Sequence, residues 1–230
     1  MPVFGGIQKL TLLDFPNKTA CTVFTQGCNF VCPFCHNSGL VIEENHQTLS
    51  ERDVLDFLNT RIGILEGVCI TGGEPLIQNG LVDFIRKVKE LGFCVKLDTN
   101  GSVPEILEQV VREKLVDYVA MDIKNSPELY GVTTGVENLN LSNIERSKNF
   151  LINSGVDYEF RTTVVRQFHS RESMESLSKW IIGAKRYYLQ GFEDSGSLIC
   201  SGLSGYNVEE MNGLLDAVKR NLPNAQLRGI

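Results

Sequence analysis

Along most of this chain short apolar runs alternate with helix-period stripes, and that order restricts the fold more than any other feature. Residues 20–25, 67–71, 93–97, 118–121, 158–165 and 185–190 read as strands, with a short last one at 225–228. Between them, Val54, Leu55, Leu58 and Ile62 share one helical face, opened by a capping-box pattern at Ser50 to Asp53. Leu81, Phe84, Ile85, Val88 and Leu91 form the next stripe, and Ile106, Leu107, Val110, Val111 and Leu115 the third. Helices follow at 143–153, around Met174, Leu177, Trp180 and Ile181, and at 207–222, where Pro223 stops the last. Roughly six strand–helix units in this order imply parallel strands joined by right-handed crossovers. Eight units would need about 250 residues. This chain has 230 and spends about 45 of them before its first amphipathic helix, so a complete eightfold barrel is not expected. No Pro- or Ser-rich linker interrupts it, so residues 1–230 are expected to form a single domain. In such folds chemistry gathers at the carboxyl ends of the strands.

Composition narrows the function. The chain is 42% hydrophobic and 22% charged, with a formal charge of −6, an acidic balance that argues against nucleic-acid binding. No apolar run approaches the roughly 20 residues that span a bilayer. The opening Met1-Pro2-Val3-Phe4-Gly5-Gly6 lacks a basic stretch followed by an apolar core, so no secretory signal is expected. Seven cysteines, an odd number, fit a reducing cytoplasm. Cys21, Cys69, Cys94 and Cys200 are expected to be small core residues.

Cys28, Cys32 and Cys35 stand apart. They form a C-x3-C-x2-C run on the loop after the first predicted strand. Three thiolates at this spacing can hold three corners of an iron–sulfur cubane and leave the fourth iron without a protein ligand. The alternative is zinc, which wants four ligands in a closed structural site. Its obvious fourth ligand, His36, is adjacent to Cys35, and adjacent residues rarely reach one ion without strain. Of the other histidines, His46 reads as a solvated loop residue and His169 as a surface residue before a helix cap at Ser170. Three such histidines support no serine–histidine–acid triad, and no phosphate-binding GxxxxGK[ST] run occurs.

The cysteine run, with Phe34 before its last member, resembles the signature of the radical S-adenosylmethionine superfamily. Gly72-Gly73-Glu74-Pro75, Asp98-Thr99-Asn100-Gly101 and Met121-Asp122-Ile123-Lys124 extend the resemblance to three successive strand ends. It is closest to the small glycyl-radical-enzyme activases. Among these, the opening Gly6 to Pro16 and the Cys35-His36-Asn37 segment look most like the anaerobic ribonucleoside-triphosphate reductase activating proteins. The resemblance implies an α/β partial (β/α)6 barrel with a [4Fe-4S] cluster on Cys28, Cys32 and Cys35. S-adenosylmethionine would bind at the open iron and yield a 5′-deoxyadenosyl radical.

By the same resemblance, Gly72, Gly73 and Glu74 would receive the methionyl amino group. The residues alone also allow a strand-to-helix turn, with Pro75 setting the helix start. Asp98, Thr99 and Asp122 would ligate a monovalent cation, as in the similar pyruvate formate-lyase activases, or else cap the following helices. Lys124 would contact the cosubstrate or position the partner's glycine loop. Arg161 matches a pocket arginine, with an ion pair to an acid as its alternative. The implied partners are a glycyl radical enzyme, first an anaerobic ribonucleotide reductase, and a flavodoxin-like or ferredoxin electron donor. The alternatives are an activase of pyruvate formate-lyase, or a small-molecule radical enzyme similar to the 7-carboxy-7-deazaguanine synthases.

Overall fold

The structure is a computed structural model, and it describes residues 1–42 and 48–230. The reading of His46 lies outside the described residues. Eight strands form one sheet in sequential order: β1 (Phe4–Thr11), β2 (Ala20–Thr25), β3 (Gly67–Gly72), β4 (Cys94–Thr99), β5 (Tyr118–Asp122), β6 (Asp157–Val164), β7 (Tyr187–Gly191) and β8 (Ala225–Arg228). The helices are α1 (Ser38–Ile42), α2 (Glu51–Asn59), α3 (Leu81–Glu90), α4 (Pro104–Arg112), α5 (Tyr130–Thr134), α6 (Leu141–Asn153), α7 (Arg171–Trp180) and α8 (Val208–Lys219). Strands β2 to β8 run parallel, and β1 pairs antiparallel with β2 at the edge. This is an α/β partial barrel. Among the described residues no helix is long and apolar enough to cross a membrane.

The two faces of the sheet differ because alternate side chains along a strand point to opposite sides. Val68 and Ile70, Val95 and Leu97, Val119 and Met121 belong to the apolar core that also holds Leu58, Phe84, Leu107 and Ile144 of the helices. The intervening positions near the carboxyl ends are mostly polar, with Ala120 the exception: Cys69 and Thr71, Lys96 and Asp98, Asp122, Glu159 and Arg161. A sheet buried on both faces normally reads as a continuous apolar run. Here only the helix-covered face is apolar, so the other face is available for chemistry.

Two details escape a reading of periodicity. Strand β1 carries Gly5, Gly6, Gln8 and Lys9, and much of it is exposed, so no apolar alternation announces it. It is held by Phe4, fully buried against Phe84 at 4.8 Å between ring centroids. The predicted first helix stops at Asn59, short of Ile62, which is therefore exposed rather than part of the apolar face. The capping box at Ser50 and Asp53 is present, and such caps typically contribute about 1 kcal/mol.

The segment between β1 and β2 closes the amino ends of the strands. Phe15 packs with Ala20 and Tyr118, on the polar-facing register of the sheet, with Cys94 alongside. A Cβ on Gly67 would stand 2.8 Å from the Phe15 ring, so only glycine admits the plug at that position. Asp14 accepts a hydrogen bond of 2.5 Å from the Thr22 hydroxyl. The amino-end opening of the sheet is thereby filled, and the interior is reached from the carboxyl ends.

Candidate active site

One pocket lies at the carboxyl ends of the strands, and it collects residues from widely separated segments. Its lining includes Cys28, Phe34, Glu74, Asp98, Asp122 and Arg161, together with Cys32, Cys35, Gly72, Gly73, Thr99 and Lys124. All twelve candidate residues of the sequence analysis therefore border one space. The thiol loop forms its upper wall. The Val31 N–H donates to the Thr134 carbonyl (3.0 Å), and the Cys35 N–H closes a turn on the Cys32 carbonyl (3.0 Å). The buried Phe34 ring packs at 5.7 Å from Phe168 and edge-on to His169 at 6.3 Å, which anchors the loop between two of its cysteines. Burial pushes the thiols up, Cys28 to about 12. Without a metal they are protonated, and metal binding would release those protons.

The two glycines serve the chain's own backbone. Gly72 has φ +110°, a region L side chains avoid, and a Cβ there would stand 2.5 Å from the Thr25 backbone. A Cβ on Gly73 would fall 1.9 Å from the Gly27 carbonyl oxygen. Through this contact the Gly73 N–H donates to Thr25 (2.9 Å) and the Glu74 N–H to Gly27 (2.9 Å), directly before Cys28. The Asn37 side chain donates to the Gly72 carbonyl at 3.1 Å from the far end of the same loop. The glycine pair thus fixes where the thiol loop begins and ends.

Glu74 is 1% exposed. Its carboxylate accepts from the Leu76 N–H (3.0 Å), the Thr99 hydroxyl (2.8 Å) and the Asn100 N–H (2.6 Å). These donors are neutral, and among the described residues no lysine or arginine forms an ion pair with Glu74. Burial outweighs the three hydrogen bonds and pushes the carboxyl up to about 7. The Leu76 contact caps the short helical turn Pro75–Ile77, so the turn reading of this segment is also realised. A turn alone would leave the acid exposed; here it is buried beside a pocket and short of a positive partner.

The other acids have such partners. Lys96 Nζ donates to Asp98 Oδ1, and Arg161 reaches Asp98 Oδ2 at 3.0 Å. Arg161 Nε also donates to Asp122 Oδ1 (2.5 Å), whose Oδ2 accepts from Lys124 Nζ (2.7 Å). Burial alone would raise both aspartates, but Arg161 with Lys96 and Lys124 holds them below the usual carboxylate range. Despite burial, the aspartates hold Arg161, Lys96 and Lys124 firmly protonated. Beyond this row, Arg228 forks onto Glu159 at 2.7 and 2.9 Å, and the Tyr118 hydroxyl donates to the same carboxylate (2.8 Å).

Some expectations need correction. His169 is buried, 1% exposed, not a surface residue. Its Nδ1 lies 3.0 Å from the Val165 N–H and its Nε2 2.8 Å from the Lys124 carbonyl. Burial keeps it neutral, and it ties the strand end bearing Lys124 to the helix that Ser170 caps. Cys200 is exposed rather than a core residue, since it sits on the irregular segment after β7, where its N–H donates to Pro33 (2.9 Å). Cys21 and Cys69 are buried as expected, and Cys94 partly so. The His36 ring packs against Phe192 at 5.6 Å.

Asn100 and Lys96 were not singled out from the sequence, yet both bear on the site. Asn100 joins Glu74 to the thiol loop: its side chain donates to Asn29 (2.9 Å) and to the Cys28 sulfur (3.9 Å). Its signal was its place inside Asp98-Thr99-Asn100-Gly101. Lys96 is legible as the one charged residue within the predicted strand 93–97.

The donor set fits a cubane. It offers three thiols on one loop, with N–H groups of Phe30 (3.4 Å) and Asn100 already directed at the Cys28 sulfur. Among the described residues no three His, Cys, Asp or Glu side chains converge as ligands of one metal ion. A cubane does not ask for that, because each thiolate takes its own iron. The monovalent cation implied at Asp98, Thr99 and Asp122 fits poorly. All four aspartate oxygens are already paired with side-chain cations, and the Thr99 hydroxyl already donates to Glu74 and accepts from the Gly101 N–H.

The Glu74 carboxyl makes a testable pH dependence. It takes its proton near pH 7 in the folded protein, against an ordinary value of 4.5, so the folded state binds the extra proton between them. Its contribution to stability is complete below about pH 4.5 and is lost as pH rises through about 7. Ligand-free protein should therefore lose about 3 kcal/mol over that window relative to Glu74→Gln, as read by urea unfolding at a series of pH values. Parallel pH profiles for the two proteins would contradict this account of Glu74.

Comparison with known proteins agrees with the geometry. The family model described as the radical SAM superfamily matches residues 22–218, a span that holds every residue lining the pocket. A Methanocaldococcus jannaschii protein provisionally named a glycyl-radical enzyme activating enzyme is 33% identical over 199 residues, 82% of this chain and 79% of that protein. A Thermococcus kodakarensis protein provisionally named a GTP 3′,8-cyclase is 26% identical over 185 residues, 71% of this chain but only 60% of that protein. In fold, the chain is similar to a radical SAM methyltransferase from Sphaerobacter thermophilus, with a TM-score of 0.76 at 14% identity, over 96% of this chain and 68% of that one. With its cysteine loop and strand-end motifs gathered at one pocket, the chain belongs to the radical S-adenosylmethionine superfamily.

Proposed function

We propose that this chain is the activating enzyme of a glycyl radical enzyme, with an anaerobic ribonucleotide reductase as its partner. The observation that carries the reading of the pocket is Glu74, a buried acid beside the thiol loop with no positive partner among the described residues. An ammonium group such as that of a methionyl moiety would supply the missing charge. The choice of a protein glycine as target rests on the M. jannaschii relative and on the motifs shared with activases.

Cys28, Cys32 and Cys35 would hold the [4Fe-4S] cluster. When bound, and reduced by a flavodoxin-like or ferredoxin donor, the cluster supplies the electron that splits the sulfonium C–S bond of S-adenosylmethionine. Glu74 receives the ammonium group, and Arg161 and Lys124 turn positive charge toward the carboxylate. Gly72 and Gly73 keep the adjoining backbone close to the thiol loop, and Phe34 holds that loop against Phe168 and His169. The target must reach the pocket from the carboxyl ends of the strands, since Phe15 closes the other end. A backbone glycine suits that approach, because it has no side chain to obstruct contact.

A second reading, a small-molecule radical enzyme, is favoured by the T. kodakarensis relative, although this chain spans 60% of that protein. Two experiments decide. In anaerobic reconstitution, Cys28→Ala, Cys32→Ala and Cys35→Ala should each lose the cluster absorbance and 5′-deoxyadenosine formation, while Cys94→Ala and Cys200→Ala keep both. A Cys32→Ala protein that retained four irons would sink the ligand assignment.

Incubation of the reduced enzyme and S-adenosylmethionine with an anaerobic ribonucleotide reductase should give a glycyl radical signal in electron paramagnetic resonance. Replacing the partner's one radical-bearing glycine with alanine should remove it. No signal with any glycyl radical enzyme, alongside stoichiometric turnover of a small metabolite, would replace this reading with the second. A signal with pyruvate formate-lyase instead would keep the activase and change its partner.

A further inference from the structure

The row of charges behind the pocket has an arithmetic of its own. Lys96, Arg161 and Lys124 contribute three positive charges, and Asp98 and Asp122 two negative ones, so the row carries 3 − 2 = 1 surplus positive charge. Arg161 bridges the two aspartates, Lys124 closes the row at the pocket, and Lys96 closes it on the side away from the pocket lining. Lys96 is 2% exposed, and its ammonium has Asp98 Oδ1 and the Cys69 sulfur (3.7 Å) as its side-chain partners. Without Lys96 the row would be neutral, 2 − 2 = 0, and Asp98 Oδ1 would keep only the weak Cys69 thiol contact at 3.8 Å.

We propose that the Lys96 ammonium occupies, as a fixed part of the chain, the place of a dissociable monovalent cation at Asp98, and that the pocket binds its ligand without such a cation. This rests on the reading of the pocket as the S-adenosylmethionine site. Three features support it. Each aspartate oxygen already has a side-chain cation, so an added ion would have to sit beside an ammonium or guanidinium of its own sign. The Thr99 hydroxyl, the neutral ligand such an ion would use, is oriented to Glu74 (2.8 Å). Finally, an ammonium on a buried stem delivers the charge at any salt concentration, whereas a free ion must be bound from solution. Lys96 is a positioning residue: it holds Asp98, which with Asp122 holds the Arg161 guanidinium toward the pocket.

The test replaces sodium chloride by potassium chloride or N-methylglucamine chloride at equal ionic strength. Wild-type reconstituted protein should bind S-adenosylmethionine with the same affinity, within about twofold, in all three salts. Lys96→Met keeps the stem and removes the charge. It should lose tenfold or more in N-methylglucamine chloride and recover in sodium or potassium, while Lys96→Arg should behave as wild type. Independently of S-adenosylmethionine, 23Na relaxation should show saturable sodium binding, displaced by potassium, in Lys96→Met but not in wild type. Saturable sodium binding by the wild type, or a tenfold change of its affinity with the cation, overturns the proposal, and these two arms need no variant to fold. A folded Lys96→Met protein that binds no sodium also overturns it. Failure of S-adenosylmethionine to bind in any salt would remove the reading of the pocket, while the sodium measurement would still decide the role of Lys96.

Discussion

The row Lys96–Asp98–Arg161–Asp122–Lys124, buried at Lys96 and Asp98 and half-buried where it meets the pocket, is the interaction on which the site depends. It crosses three adjacent strands, β4, β5 and β6, and fills the sheet face that the helices leave uncovered. Charges in such a place are costly to desolvate, and the row persists because every carboxylate oxygen has a cation and each cation a carboxylate. Removing one member strands its neighbour, a loss that typically costs 3–5 kcal/mol at a buried pair. An apolar filling of similar volume would serve stability as well or better. The expense is explained by what the row offers at the pocket, a rigidly held guanidinium and ammonium.

Glu74 follows the opposite rule. It is more buried than either aspartate, yet its three partners are neutral, and its carboxyl is raised where theirs are lowered. One site therefore contains acids already neutralised by the fold and one acid left for an incoming positive charge. Asn100 connects Glu74 to the thiol loop, since its backbone serves Glu74 and its side chain touches the Cys28 sulfur. The helix-covered apolar face, the Phe15 plug and the glycine-to-glycine contact at Gly27 and Gly73 hold these groups in register.

Much of the architecture was legible because hydrophobic period and chain order reflect the same packing that stabilises it. The parallel strands and the crowding of motifs at their carboxyl ends follow from residues 20 to 228 read in sequence, whereas the alternation alone leaves an open sheet and a barrel equally allowed. Strand β1 was not legible, because an edge strand of glycines, Gln8 and Lys9 has no buried alternation to display. His169 differs from its reading for a related reason: Arg166, Gln167, Ser170 and Arg171 around it are polar, and its burial comes with the tertiary approach of the strand end bearing Lys124. The candidate pocket residues were found through motifs, but their pairing was not. Period-2 geometry puts Lys96 on the same face as Asp98, yet nothing in the sequence says that Arg161 lies across both aspartates.

The division between satisfied and waiting acids can be measured through protons. Burial raises the ligand-free Glu74 carboxyl to about 7, so at neutral pH part of it is protonated and must ionise to hold an ammonium group. Isothermal titration of S-adenosylmethionine into the reconstituted protein, repeated in buffers of different ionisation enthalpy, reads the proton exchanged on binding. The account predicts a net release of protons from Glu74 on binding at pH 7 in the wild type, read as the difference from Glu74→Gln. Equal proton exchange by the two proteins would contradict it.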